Sequence, residues 1–197
     1  NRRIAIDRLA PAGVQEMEAL GYEVHDGVTV MEKAREIKSA GEIALMRKSI
    51  EVCESAIQQM REAMKPGITE NALWAELHHG NIAGGGEWIE TRLLSSGPRT
   101  NPWFRECSMR PIEKGDMVSF DTDLVGPYGY CCDMSRSWIC DAEPDDEQRR
   151  LYAAAYEQIK RNTELLKPGL GYRELTEKLH PMADEYIPGR YGVAMNG

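Results

Sequence analysis

No apolar run in this chain reaches membrane-spanning length, and no leader with a basic start and a small-residue cleavage site opens it. No membrane association is expected. Nor does any stretch concentrate Lys and Arg; the net charge is −8, so nucleic acid is not an expected partner. Cys-x-x-Cys pairs are missing as well. The five cysteines (Cys53, Cys107, Cys131, Cys132 and Cys140) are odd in number, which fits reduced thiols in a cytoplasmic protein better than a disulfide framework or a zinc knuckle. An initiator Met is absent, and the last residues, Met195-Asn196-Gly197, complete no element. A fragment of a longer protein is expected, with 197 residues giving one good-sized domain or one and a fraction.

The densest chemistry lies between Val118 and Ile139. Val118 and Phe120 alternate with polar positions as in a half-buried strand, and 130–139 reads the same way after a Gly126-Pro127-Tyr128-Gly129 turn. Side chains alternate along a strand, so Asp121 and Asp123 share a face, and Phe120, Thr122 and Leu124 take the other. Asp133 joins the two aspartates only if the connecting loop has an odd length. Three crowded carboxylates repel one another and stay ionised cheaply only around a cation, so the hairpin reads as a metal site; the bland alternative is a solvated strand end. Oxygen ligands alone suit manganese, iron, magnesium or zinc.

Upstream, 3–7 reads as a strand, 11–20 as a helix stopped by Gly21, and 22–24 as a further strand. Residues 39–64 form a helical pattern with Ile43, Met46, Ile50, Cys53, Ile57 and Met60 on its core face. An internal repeat follows. Lys65-Pro66-Gly67, Leu73, Leu77 and His78 recur as Lys167-Pro168-Gly169, Leu175, Leu179 and His180, each copy after a long amphipathic helix. Strand-like runs follow the first copy, beginning at 88–95. Two such units imply an α+β domain with a pseudo-twofold internal repeat and a site where its halves meet. The equivalent positions of His78 and His180 favour core or capping roles over ligation. Gly84-Gly85-Gly86 lacks the setting of a phosphate loop, and 141–147 reads as an acidic connector before a helix from Glu147.

The 35–47 segment, the Lys-Pro-Gly helices, Ser96-Gly97-Pro98-Arg99-Thr100-Asn101 and the aspartate hairpin together resemble the pita-bread metallopeptidases (prolidase, aminopeptidase P, creatinase). The resemblance implies a truncated pita-bread domain over 35–197, preceded at 1–34 by the tail of an N-terminal α/β domain. It also implies two divalent or trivalent transition-metal ions (iron, manganese, zinc or cobalt), a small-molecule substrate and a homodimer. Asp121 and Asp133 match the family's two aspartate ligands.

Three departures matter. Asp123 stands where the peptidases place no ligand, and the Asp121–Asp133 interval is one residue longer. Asn101-Pro102-Trp103-Phe104 stands where they carry a substrate-contacting His. Asn196 occupies the place of the family's metal-binding His.

The first two departures, with 85–94 and Phe120-Asp121-Thr122-Asp123-Leu124-Val125-Gly126, are similar to dimethylsulfoniopropionate lyases of the DddP type. That likeness makes Asp121, Asp123 and Asp133 metal ligands, with Asn196 at the remaining matched position. It makes Tyr191 a substrate residue and places the catalytic base beyond Gly197; Trp103 is a second aromatic candidate for the sulfonium, with packing as its plainer role. Three readings follow: a lyase releasing dimethyl sulfide and acrylate, an Xaa-Pro metallopeptidase, and a metal-poor binding module. Trp103 counts against the second. Asn196 sustains the third, because an amide oxygen is a weaker donor than imidazole.

Overall fold

The computed structural model describes residues 2–182, in two units that divide between Arg47 and Lys48. In the first, β1 (Arg3–Ile6) pairs in parallel with β2 (Glu23–Asp26), and α1 (Pro11–Ala19) is the crossover between them. Pro11 starts α1 where its missing N–H costs nothing, and Gly21, at φ 82, turns the chain out of it. A second helix, α2 (Val28–Arg35), was not anticipated from the sequence. Asp26 sets its start, accepting from the Val28 amide at 2.8 Å and from the Thr29 hydroxyl.

Helix α3 (Ala40–Ala63) carries the chain into the second unit. Its buried stripe keeps Cys53, Ile57 and Met60 of the expected one and loses Ile43 and Ile50. Ile43 and Ile50 are each 40% exposed, while Ser49, Val52, Cys53, Ala56, Ile57 and Met60 are buried. Close backbone approach explains the shift: a side chain at Gly80 would come within 2.7 Å of Ala56, and one at Gly126 within 2.1 Å of the Ser49 Oγ. Ser49 and Ala56 are the small residues that those contacts admit.

Helix α4 (Glu70–Ala83) is capped by Thr69, whose Oγ accepts from the Ala72 amide at 3.1 Å, and buries Leu73, Trp74 and Leu77. Six short strands follow: β3 (Trp88–Ile89), β4 (Leu94–Ser96), β5 (Met117–Asp121), β6 (Leu124–Val125), β7 (Cys131–Cys132) and β8 (Ser135–Ile139). They form two antiparallel sheets, ordered β3-β6-β7 and β4-β5-β8. One core joins them to the helices, with Cys53, Met60, Leu73, Leu77, Leu94, Val118, Phe120 and Leu124 at its centre.

After the sheets come α5 (Asp146–Leu165), started by a capping box between Asp145 and Gln148, and α6 (Tyr172–Lys178). Gly67 and Gly169 take matching positive φ values, 91 and 88, at the two Lys-Pro-Gly breaks. Of the repeated histidines, His78 packs its ring and His180 is held through its backbone. His78 lies edge-on to Trp74, its centroid 6.1 Å away, and burial lowers its pKa. The His180 amide donates to Asn162 at 2.7 Å, and its carbonyl accepts from Gln158 and Asn162. Among the described residues no helix is long and apolar enough to cross a membrane.

Candidate metal centre

Strands β5 and β6 are one strand interrupted at Thr122-Asp123, and β7 and β8 are its return, interrupted at Asp133-Met134. Asp121 lies opposite Ser135 on one side of the break, and Leu124 lies opposite Cys132 on the other. The register is therefore continuous, and Asp123 falls opposite Asp133. Residues 126–130 make the loop, closed by the Gly126 amide on the Tyr130 carbonyl at 2.9 Å. Its odd length meets the condition for the three aspartates to share a face. Burial follows the same alternation: Phe120, Thr122, Leu124 and Cys132 are buried, Asp121 and Asp123 half-buried, and Cys131 and Asp133 exposed.

The interruption comes from Asp123, whose φ of 37 lies in the left-handed region, where Asp is among the few side chains tolerated. Thr122 fills the resulting gap in the ladder. Its buried hydroxyl accepts from the Met134 amide at 2.9 Å and donates to the Cys132 carbonyl at 3.3 Å, and the Cys53 thiol approaches it at 3.8 Å. A third segment, residues 90–93, runs alongside. The Asp121 amide donates to the Leu93 carbonyl at 2.9 Å, the Glu90 amide to the Asp123 carbonyl at 3.1 Å, and the Thr91 hydroxyl to Asp123 Oδ2 at 3.0 Å. Asp121 Oδ1 accepts from the Ser135 hydroxyl at 2.8 Å.

The aspartates act on one another. A hydrogen bond with Asp121, then loss of water contact, then the charges of Asp121 and Asp123 push the Asp133 pKa up to about 6, against a partial offset from the Asp123 amide. A carboxyl that binds its proton more tightly when folded stabilises the protein below its unfolded pKa of 3.8, and that contribution is lost as pH rises through about 6. The metal-free protein is therefore expected to lose thermal stability between about pH 4 and about pH 6 relative to Asp133→Asn, in melting curves taken across that range. Metal affinity is expected to climb over the same interval, because an ion displaces that proton.

Crowded carboxylates of one sign are the donor chemistry a hard or borderline cation calls for, so Asp121, Asp123 and Asp133 fit as part of a ligand set. They are not a whole cage. Among the described residues no three or more His, Cys, Asp or Glu side chains are placed to hold an ion by themselves. The three carboxylates gather at the break in the hairpin, with one oxygen of Asp121 bonded to Ser135, one of Asp123 bonded to Thr91, and Asp133 hydrogen-bonded to Asp121.

Trp103 is half-buried after the cis Asn101-Pro102 bond, with no hydrogen bond or ring contact to the aspartates among the described residues. Tyr191 and Asn196 lie outside the described residues.

Sequence reading missed the polar knot behind the sheet. Glu70, fully buried at the first turn of α4, accepts from the Ser96 amide and hydroxyl at 2.8 and 2.7 Å, from the Ser108 amide and hydroxyl at 3.0 and 2.6 Å, and from Arg99. Burial raises its pKa, but the bonds from Ser108, Ser96 and Arg99 outweigh that and leave it below the usual value. An acidic residue in a first helical turn looks ordinary in a sequence, so nothing there set Glu70 apart.

Helices thus lead into paired antiparallel strands, with carboxylates gathered where one hairpin breaks. The profile of Metallopeptidase family M24 matches residues 44–195, and the chain belongs to that family. The chain is 45% identical, along its whole length, to dimethylsulfoniopropionate lyase DddP of Roseovarius nubinhibens, and 44% identical to that of Roseobacter denitrificans. It covers 46% and 45% of those two proteins, so it spans a little under half the length of these curated relatives. Among solved structures, prolidase from Pyrococcus furiosus superposes with a TM-score of 0.82 at 25% identity, covering 94% of this chain and 56% of that one. The fold is thus the pita-bread fold, present here in part.

Proposed function

We propose that the chain supplies the aspartate half of the active site of a metal-dependent dimethylsulfoniopropionate lyase. The observation that carries this reading is the 45% identity, along the whole chain, to a lyase of that name. The extra aspartate, Asp123, lends it a local reason.

In the proposed reaction the substrate loses a proton from the carbon beside its carboxylate and dimethyl sulfide from the next carbon. The electrons of the broken C–H bond become the double bond of acrylate, and those of the C–S bond leave with sulfur. Asp121, Asp123 and Asp133, with Asn196, would hold the ions, iron, manganese, zinc or cobalt. When bound, a metal coordinating the substrate carboxylate would withdraw charge and acidify the adjacent C–H. Tyr191 would offer its ring to the sulfonium, which aromatic faces attract without hydrating, and Trp103 is the second candidate. The five free thiols fit a cytoplasmic setting, and a homodimer belongs to the same proposal.

Full-length protein reconstituted with each of these metals is expected to release dimethyl sulfide and acrylate in equal amounts, followed by gas chromatography and acrylate absorbance. A second reading, an Xaa-Pro peptidase, draws support from the prolidase superposition. Hydrolysis of Xaa-Pro dipeptides without dimethyl sulfide release would replace the first reading with the second.

A further inference from the structure

Asp123 is anchored from outside its own hairpin. Its carbonyl accepts from the Glu90 amide at 3.1 Å and its Oδ2 from the Thr91 hydroxyl at 3.0 Å, while its neighbour Asp121 is tied to Leu93 at 2.9 Å. The segment 90–93 therefore runs beside the left-handed turn at Asp123 and holds it at both backbone and side chain. Thr91 is half-buried, so water replaces its hydroxyl less readily than it would replace that of Ser135, the exposed donor to Asp121.

We propose that Thr91 is a positioning residue for metal binding. Its hydroxyl holds Oδ2 of Asp123 and fixes the orientation in which that carboxylate is offered to an ion. The inference rests on Asp123 being a ligand, as in the reading above.

The test is manganese(II) titration of metal-free full-length protein, with melting temperature measured in parallel. Thr91→Val keeps the shape and removes the donor; it is expected to weaken binding by about tenfold, the lower end of what loss of an orienting hydrogen bond to a ligand costs. Thr91→Ser restores the donor and is expected to bind within about threefold of the parent. Thr91→Ala serves as a second donor-free variant if the valine does not fold. Asp123→Asn is measured beside them. Loss of binding in Asp123→Asn with unchanged binding in Thr91→Val, even if its melting temperature falls, would overturn the role of Thr91 and leave Asp123 a ligand. Unchanged binding in Asp123→Asn would overturn the ligand assignment and the inference with it.

Discussion

Glu70→Ala is expected to cost about 3 kcal/mol of stability, at the low end for removing one partner of a buried ion pair. The low end applies because the Arg99 side chain is 24% exposed and regains water when its partner goes. The two serines lose more. Their amides and hydroxyls point at a fully buried carboxylate, and alanine leaves those donors without that acceptor. Glutamine is no innocent replacement, since its amino group would turn a donor toward donors. At about 2–4 °C per kcal/mol for a chain of this size, the alanine variant should melt roughly 6–12 °C lower in a calorimetric scan. A shift below about 2 °C would mean that the knot is not a stabilising element.

Asp121→Ala should separate stability from binding. Manganese(II) affinity is expected to fall by more than about 100-fold, beyond the loss caused by removing a residue that only orients a ligand. The metal-free protein, in contrast, should be no less stable at neutral pH. Asp121 is the largest cause of the raised Asp133 pKa, through both its hydrogen bond and its charge, so its removal should bring Asp133 down from about 6 toward ordinary carboxylate values. A carbon-13 titration of the Asp133 carboxyl reads this directly. If Asp133 stays near 6 in the variant, loss of water contact rather than Asp121 governs it.

The hairpin was readable because strand periodicity is a strong constraint. With Phe120, Thr122 and Leu124 demanding the core, the faces of Asp121 and Asp123 followed, and an odd loop of residues 126–130 was all Asp133 required. The division of that hairpin between two sheets was not readable. It depends on a positive φ at an Asp that local sequence leaves free to stay extended, and on a neighbour 32 residues back, Thr91, whose contact exists only after folding. The α3 stripe was legible in part: Cys53, Ile57 and Met60 are buried as their spacing implied, whereas Ile43 and Ile50 are exposed and small residues, Ser49 and Ala56, meet Gly126 and Gly80. Tyr191 and Asn196 remain expectations of the sequence, outside the described residues.

Thr122 bears on how this part of the molecule can change over generations. A continuous ladder passes any displacement of one strand end to the other, whereas here the Thr122 hydroxyl is bonded across the gap to the Cys132 carbonyl and the Met134 amide. Substitutions that shift β4-β5-β8 would act first on Asp121, at the end of β5, and reach Asp123 and Asp133 only across that joint. The joint is concentrated in one position: a change at Thr122 would tie the chemistry of the hairpin to the packing of its neighbours.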